Sequence, residues 1–328
     1  MRPEMEITRF PLRVDSWEIC LRRHRLPDAL DPGRRPLVMV PGYAMNSFIL
    51  GYHPHGDSMI DHLAAAGIEV WTADLRGQGD SRRVGPRHRF GMAELALEDL
   101  PAALDVVRRE SGRSRLDLVG CSLGASYVYA YLAHHPEDHG VGAVVSIGGP
   151  LRWTEVHPAL RLAFASPTIA GLVRTRGTRA MARHVLPVVR RAPALLSIYM
   201  NARQVDLSRP DQLVRTIDDP IPTINREIAR WVRQRDLVIR DVHVPRTLES
   251  MARRGTAPPV LAVVANRDGI VPPATARSIE DVLGPQLVTV LEVGDRQHWY
   301  AHADLFVSND AARTVFTPIE RWLAARSD

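Results

Sequence analysis

Apolar and polar positions along this chain repeat with two different periods, and the switches between those periods outline its elements. Residues 5–26 alternate apolar and polar around Pro11 and Asp15-Ser16, a period of two that predicts an N-terminal β-hairpin. Leu37-Val38-Met39-Val40 is an unbroken apolar run closed by Pro41-Gly42, as expected of a strand buried on both faces. A helical segment is predicted over residues 56–66, a strand over 68–73 and a turn-rich loop over 74–81. Between residues 92 and 110, Leu95, Leu97, Leu100, Leu104 and Val107 recur at helical spacing. The run Leu116-Asp117-Leu118-Val119 then meets Gly120-Cys121-Ser122-Leu123-Gly124, a helical pattern continues to Ala133, and residues 143–147 read as the next strand. Strand and helix alternate throughout, which predicts an α/β chain with a mainly parallel sheet covered on both faces.

That alternation stops after Gly148-Gly149-Pro150. Residues 151–243 show helical patterns without a convincing buried strand. It resumes with a helix over 245–254, a strand over 260–265, a helix over 274–283, a strand over 287–293 and a last helix over 309–325. The expected organisation is a core of residues 1–150 and 244–328, with residues 151–243 inserted as a helical cap. No internal repeat or low-complexity linker interrupts it.

Composition narrows the class. With 328 residues, 45% of them hydrophobic, a sizeable core is feasible. The longest uncharged apolar stretches, residues 37–52 and 118–133, contain glycine and are shorter than the roughly 20 residues a bilayer span needs. Met1-Arg2-Pro3-Glu4-Met5-Glu6 lacks the apolar core of a signal peptide, so a cytoplasmic protein is expected. Two cysteines, Cys20 and Cys121, make neither a disulfide framework nor a C-x-x-C pair.

The formal net charge is +5, and all 42 cationic side chains are arginine. They are spread along most of the chain with no recognition motif beside them, so no nucleic-acid partner is expected. One stretch stands apart. Between Val156 and Val205 there is no Asp or Glu, while Arg161, Arg174, Arg176, Arg179, Arg183, Arg190, Arg191 and Arg203 interleave with Leu172, Val173, Met181, Val185, Leu186, Val188 and Val189. The plain expectation is helices with arginines solvated and apolar faces turned toward a site below. The sharper one is peripheral contact with an anionic membrane, or attraction of an acidic substrate.

Candidate chemistry centres on Ser122. A serine hydroxyl is a poor nucleophile unless it is exposed, aligned with a base and next to donors for a developing oxyanion. A strand, sharp turn and helix with serine at the apex would supply the exposure, and Gly120 and Gly124 leave room where a Cβ would collide. The base and its orienting anion belong at the carboxyl ends of parallel strands. Behind residues 260–264 lies a loop whose only carboxylate is Asp268, and behind residues 288–291 lies a loop with two histidines, His298 and His302. His53-Pro54-His55 is dense in ligand types, but no second cluster has metal-site spacing, so it reads as pocket lining or loop packing. There is no P-loop or Rossmann signature. No metal or organic cofactor is therefore expected.

With serine, aspartate and histidine in that order, the sequence resembles the α/β-hydrolase superfamily over residues 37–150 and 244–323. The likeness is to lipase-like and esterase-like members related to acid lipases and polyhydroxyalkanoate synthases. It implies an α/β-hydrolase fold, a mainly parallel central sheet flanked by helices with an inserted helical cap. It further implies Ser122 as nucleophile, Asp268 as acid with Glu155 as the alternative position, and His302 rather than His298 as base. The last choice rests on His302-Ala303-Asp304-Leu305-Phe306. The oxyanion would be held by the backbone N–H groups of Leu123 and Tyr43.

Most relatives carry His-Gly where this chain has Pro41-Gly42, which keeps the donor but leaves open how that loop is braced. Asp74-x-Arg76-Gly77-x-Gly79-x-Ser81 matches a superfamily pattern read as loop architecture. The implied activity is cleavage of carboxylic esters of hydrophobic acyl groups, with a small hydrophobic ester as partner. Acyl transfer or thioester cleavage on the same three residues, or a non-catalytic binding role, are the alternatives. Oligomeric state is not legible.

Overall fold

The structure is a computed structural model that describes residues 4–86, 88–172, 177–189 and 196–326. The N-terminal hairpin forms as its alternation predicts, β1 (Glu6–Val14) against β2 (Trp17–Arg25), turning at Asp15 in the left-handed region. Then come β3 (Leu37–Val40), a 3-10 turn (Ser47–Ile49), α1 (Met59–Ala65), β4 (Val70–Asp74) and the two-residue β5 (Arg82–Arg83). The helical pattern of residues 92–110 is α2 (Met92–Glu94), a π turn (Leu95–Asp99) and α3 (Leu100–Ser111). A similar π turn (Ala312–Phe316) precedes the closing helix (Thr317–Ala324). Each π turn stands just before a proline, Pro101 or Pro318. Proline has no N–H to return to the preceding turn, so the ladder widens there.

β6 (Leu116–Cys121), α4 (Leu123–His134) and β7 (Val141–Ile147) follow. The intervening segment holds α5 (Pro158–Ala163), α6 (Pro167–Ala170), α7 (Thr178–Val189), α8 (Pro210–Arg215) and α9 (Pro222–Gln234). It also holds a hairpin the sequence reading did not foresee, β8 (Val238–Ile239) with β9 (Val242–His243). Two residues per strand are too few for a period to show, and the turn is made by Arg240 and Asp241, both at positive φ rather than glycine. The chain returns through α10 (Val244–Arg254), β10 (Val260–Ala265), two short helices (Pro273–Ala276 and Ser278–Leu283) and β11 (Val288–Val293).

The main sheet runs β1-β2-β4-β3-β6-β7-β10-β11, with β5 paired to β2. β3, β4, β6, β7, β10 and β11 are mutually parallel, while β2 lies antiparallel to β1, β4 and β5. Strand alternation sends Val38, Val40 and Leu118 to one apolar layer and Leu37, Met39, Val119 and Cys121 to the other. Both faces are thus covered by helices, and the strand ends at one edge are left to carry side chains. Cys121 is fully buried, and burial pushes its thiol far up, away from thiolate chemistry. Among the described residues no helix is long and apolar enough to cross a membrane.

Candidate active site

Ser122 sits between β6 and α4 at φ 52°, ψ −125°, a conformation that L-residues avoid. Its N–H bonds Ile147 O at 2.7 Å, which fixes the elbow to the end of β7. A Cβ on Gly120 would run into Ala125, and one on Gly124 into the Val40 carbonyl, so the helix can cross the strands only where side chains are missing.

Two loops bring Asp268 and His302 together across 34 residues of chain. His302 Nδ1 lies 2.5 Å from Asp268 Oδ2, with both residues buried. The other carboxylate oxygen, Oδ1, accepts the N–H groups of Ile270 and Val271, each at 2.8 Å. Asp268 is therefore held from both sides, one oxygen by backbone and one by the imidazole.

Gly148, directly after β7, wedges this pair against the elbow. A Cβ there would fall 3.0 Å from His302 Cε1 and 3.5 Å from Asp268 Oδ2, and the residue adopts φ 57°. On the opposite side, a Cβ on Gly42 would fall 2.7 Å from the Ser122 Cβ. Ser122, His302, Asp268 and the Pro41–Tyr43 loop thus share one strand-end edge. Among the described residues neither the Ser122 hydroxyl nor His302 Nε2 has a hydrogen-bond partner.

The competing positions are elsewhere. His298 is exposed and faces Asp295 at 3.4 Å. Glu155 is exposed, its backbone pinned by the Thr275 hydroxyl, and it makes no hydrogen bond to His302 among the described residues. His53 packs into the loop layer, with Nε2 2.9 Å from Ser308 O and its ring edge-on to Phe316. Among the described residues no group of three or more His, Cys, Asp or Glu could hold a metal ion.

Three devices support the site, and of these Gln78 and the residues 198–201 were not singled out from sequence. Gln78, inside the Asp74–Ser81 loop, donates from Nε2 to Gly42 O at 2.7 Å and accepts Leu75 N–H at 2.9 Å. That is how the loop starting at Pro41 is braced. Asp74 accepts the Ser47 N–H at 2.7 Å, and the Tyr43 phenol bonds Asn225 on α9 while accepting the Ile221 N–H. Third, residues 198–201 form a strap across the Asp268 and His302 loops. Gly269 N–H bonds Ile198 O, Ala303 N–H bonds Tyr199 O, and Asn201 N–H bonds the Asp304 carboxylate. Burial lifts Asp304 to about 7, even though the amides of Ala301 and Asn201 favour its charged form. The signal for Gln78 was its place within a recognised loop pattern; the strap had none.

Removing the Gln78 brace should loosen the Pro41–Tyr43 loop specifically. For Gln78→Leu we expect kcat to fall about tenfold with little change in KM, and about 1–3 kcal/mol of stability to be lost through the unpaired Gly42 carbonyl and Leu75 amide. Steady-state kinetics paired with thermal melts check this, and an unchanged kcat removes the bracing role.

Comparison with known proteins agrees with this fold. The family model described as alpha/beta hydrolase fold matches residues 35–302. A probable lipase of Schizosaccharomyces pombe is 27% identical over 131 residues, which is 38% of this chain and 30% of that protein. Human lysosomal acid lipase/cholesteryl ester hydrolase is 27% identical over 137 residues, 38% of this chain and 33% of that protein. The matched region is about a third of the length of these curated relatives. Among solved structures, a thermophilic esterase from Thermogutta terrifontis superposes with a TM-score of 0.60 at 16% identity, covering 98% of this chain and 100% of that one. A 2-hydroxy-6-oxo-6-phenylhexa-2,4-dienoate hydrolase from Rhodococcus gives 0.64 at 18% identity, covering 98% and 99%.

Proposed function

The chain belongs to the alpha/beta-hydrolase fold family, and from that premise we propose that it is a serine hydrolase of carboxylic esters with hydrophobic acyl groups. The observation that carries the reading is the His302–Asp268 contact at 2.5 Å, made between two strand-end loops beside a serine held at positive φ. His302, oriented by Asp268, takes the Ser122 proton as the hydroxyl adds to the ester carbonyl. The N–H groups of Leu123 and Tyr43 hold the tetrahedral oxyanion. The alcohol leaves with the proton from His302, and water repeats the sequence to free the acid and restore Ser122. The lipase names among the sequence relatives agree with an ester substrate.

A fluorophosphonate probe tests this directly. It should label Ser122, and labelling should vanish in His302→Ala while persisting in His298→Ala. The corresponding turnover losses are on the order of 10⁴-fold for His302→Ala and under threefold for His298→Ala. The reverse pattern would move the base to residue 298.

We further propose that the intervening segment touches anionic lipid. Of its named arginines, Arg174, Arg176, Arg190 and Arg191 lie outside the described residues, while Arg161, Arg179, Arg183 and Arg203 are exposed. Of its named apolar residues, Leu172 and Met181 are exposed rather than turned inward, while Val173 and the side chains of Val185, Leu186, Val188 and Val189 lie outside what the structure describes; Leu162 and Ile169 are exposed as well, Leu162 at 80%. Exposed apolar side chains beside cations, in a stretch free of acids, suit a negatively charged interface. Flotation should show binding to phosphatidylglycerol vesicles but not to phosphatidylcholine vesicles. Equal, negligible binding to both defeats the lipid contact.

A further inference from the structure

Just beyond α8, Asp218 sits where the intervening segment meets two loops of the core. Its Oδ1 accepts Arg179 of α7 at 2.8 Å, and its Oδ2 accepts the Gly79 N–H at 2.8 Å and Asn46 Nδ2 at 3.2 Å. Its own backbone N–H donates to Ala44 O at 2.9 Å. Met45 pairs with Ile217, and the Asn46 N–H bonds Thr216 O at 3.2 Å, so residues 216–218 run antiparallel beside residues 44–46. Burial pushes the Asp218 carboxyl above the usual carboxylate range, and the Asp74 charge adds to this. The Gly79 amide, Asn46 and Arg179 favour its ionised form.

Both loops lead to one amide, the Tyr43 N–H. In a trans peptide the C=O and N–H point opposite ways, so a bond that fixes the Gly42 carbonyl also aims the Tyr43 N–H. That carbonyl is held by Gln78 Nε2 at 2.7 Å. Gln78 and Gly79 share a peptide unit, and the N–H of that unit is the one Asp218 Oδ2 accepts. On its other flank Tyr43 is followed by Ala44, which holds φ 53° without being glycine. L-residues avoid that region, so contacts from outside must keep Ala44 in it. The Asp218 N–H on Ala44 O is such a contact, and the carboxylate fixes residue 218 against Asn46 and Gly79. Asp218 thus reaches Tyr43 from both sides, through Gly79, Gln78 and Gly42 and through Ala44.

We infer that Asp218 is a positioning residue: its carboxylate sets the direction of the Tyr43 N–H, the donor assigned above to the oxyanion. The inference rests on the serine-hydrolase reading and adds to it a group outside the sheet core on which turnover depends.

Asparagine and alanine at this position separate positioning from packing. In Asp218→Asn the oxygen facing Gly79 and Asn46 must stay an acceptor, because both neighbours donate. Asn46 cannot turn over, since its Oδ1 accepts the Phe48 N–H. The new NH₂ then faces the Arg179 guanidinium, and only that bond is lost. Asp218→Ala loses all three side-chain bonds. On p-nitrophenyl butyrate, Asp218→Ala should lower kcat about thirtyfold with KM within about twofold, and Asp218→Asn should recover to within about threefold of wild type. Assays run well below each variant's melting temperature keep lost folding from imitating lost turnover. A loss carried by KM, or one that asparagine does not restore, overturns the positioning role.

The Tyr43 amide gives a readout without turnover. In protein labelled with nitrogen-15 tyrosine and assigned through Tyr43→Phe, the Tyr43 N–H signal should shift in Asp218→Ala and return toward its wild-type place in Asp218→Asn. A signal that stays put in Asp218→Ala overturns the inference whatever the kinetics. Failure of the serine-hydrolase reading looks different. Wild type would then neither take up fluorophosphonate nor cleave the ester, while the Tyr43 signal still followed Asp218, and the oxyanion role would fall with that reading.

Discussion

Ser122→Ala should abolish ester turnover, by on the order of 10⁴-fold or more, while the protein stays folded. At 1.36 kcal/mol for each factor of ten, that loss is about 5.5 kcal/mol of transition-state stabilisation. It removes one oxygen that makes no hydrogen bond among the described residues, from a half-buried apex, so thermal melting should barely move. Backbone strain offers a control that chemistry alone does not. Ser122 holds φ 52°, and alanine keeps the Cβ that makes this conformation costly. Glycine does not. Ser122→Gly should therefore be equally inactive yet more stable than Ser122→Ala, by about 1 kcal/mol. Side-by-side melts and p-nitrophenyl butyrate assays decide the matter. Residual activity above about one part in a hundred in either variant would place the nucleophile elsewhere.

Much of the core could be read from local pattern because it is built from local rules. β3 reads as buried because Leu37–Val40 is apolar at every position, and it is covered on both faces. The elbow reads as strand, turn and helix because Gly120 and Gly124 bracket Ser122 where a Cβ has no room. What eluded the sequence depends on contacts between distant segments. Gln78 is one polar residue in a turn until folding sets it under the Gly42 carbonyl. The strap of residues 198–201 bonds mostly through backbone groups, which every residue type supplies equally. The stretch between Val156 and Val205 predicts apolar faces turned toward a site below, yet Leu162 and Leu172 are exposed. A helical period shows that a stripe exists but not which neighbour covers it.

Asp268→Asn is the sharper probe of the base, because the environment of the carboxylate dictates which way the amide must sit. Oδ1 accepts two backbone N–H groups, from Ile270 and Val271. An NH₂ group cannot accept, so the asparagine carbonyl must occupy that place and its NH₂ must face His302 Nδ1. There the amide donates, which forces Nδ1 to carry the lone pair and Nε2 to carry the proton. The imidazole then presents an N–H to Ser122 and cannot take its proton. The negative charge that would stabilise the protonated ring is gone as well. The expected loss in kcat is on the order of 10⁴-fold, with the Ile270 and Val271 bonds kept and the melting temperature within a few degrees of wild type. Asp268→Ala frees Nδ1 but strands those two buried amides, so it should lose about 2–5 kcal/mol of stability as well as activity. Nitrogen-15 spectra of the His302 ring provide the independent readout: Nδ1 protonated in the wild type, unprotonated in Asp268→Asn. If Asp268→Asn retains activity within tenfold of wild type, or if the tautomer fails to switch, residue 268 is not the group that orients the base.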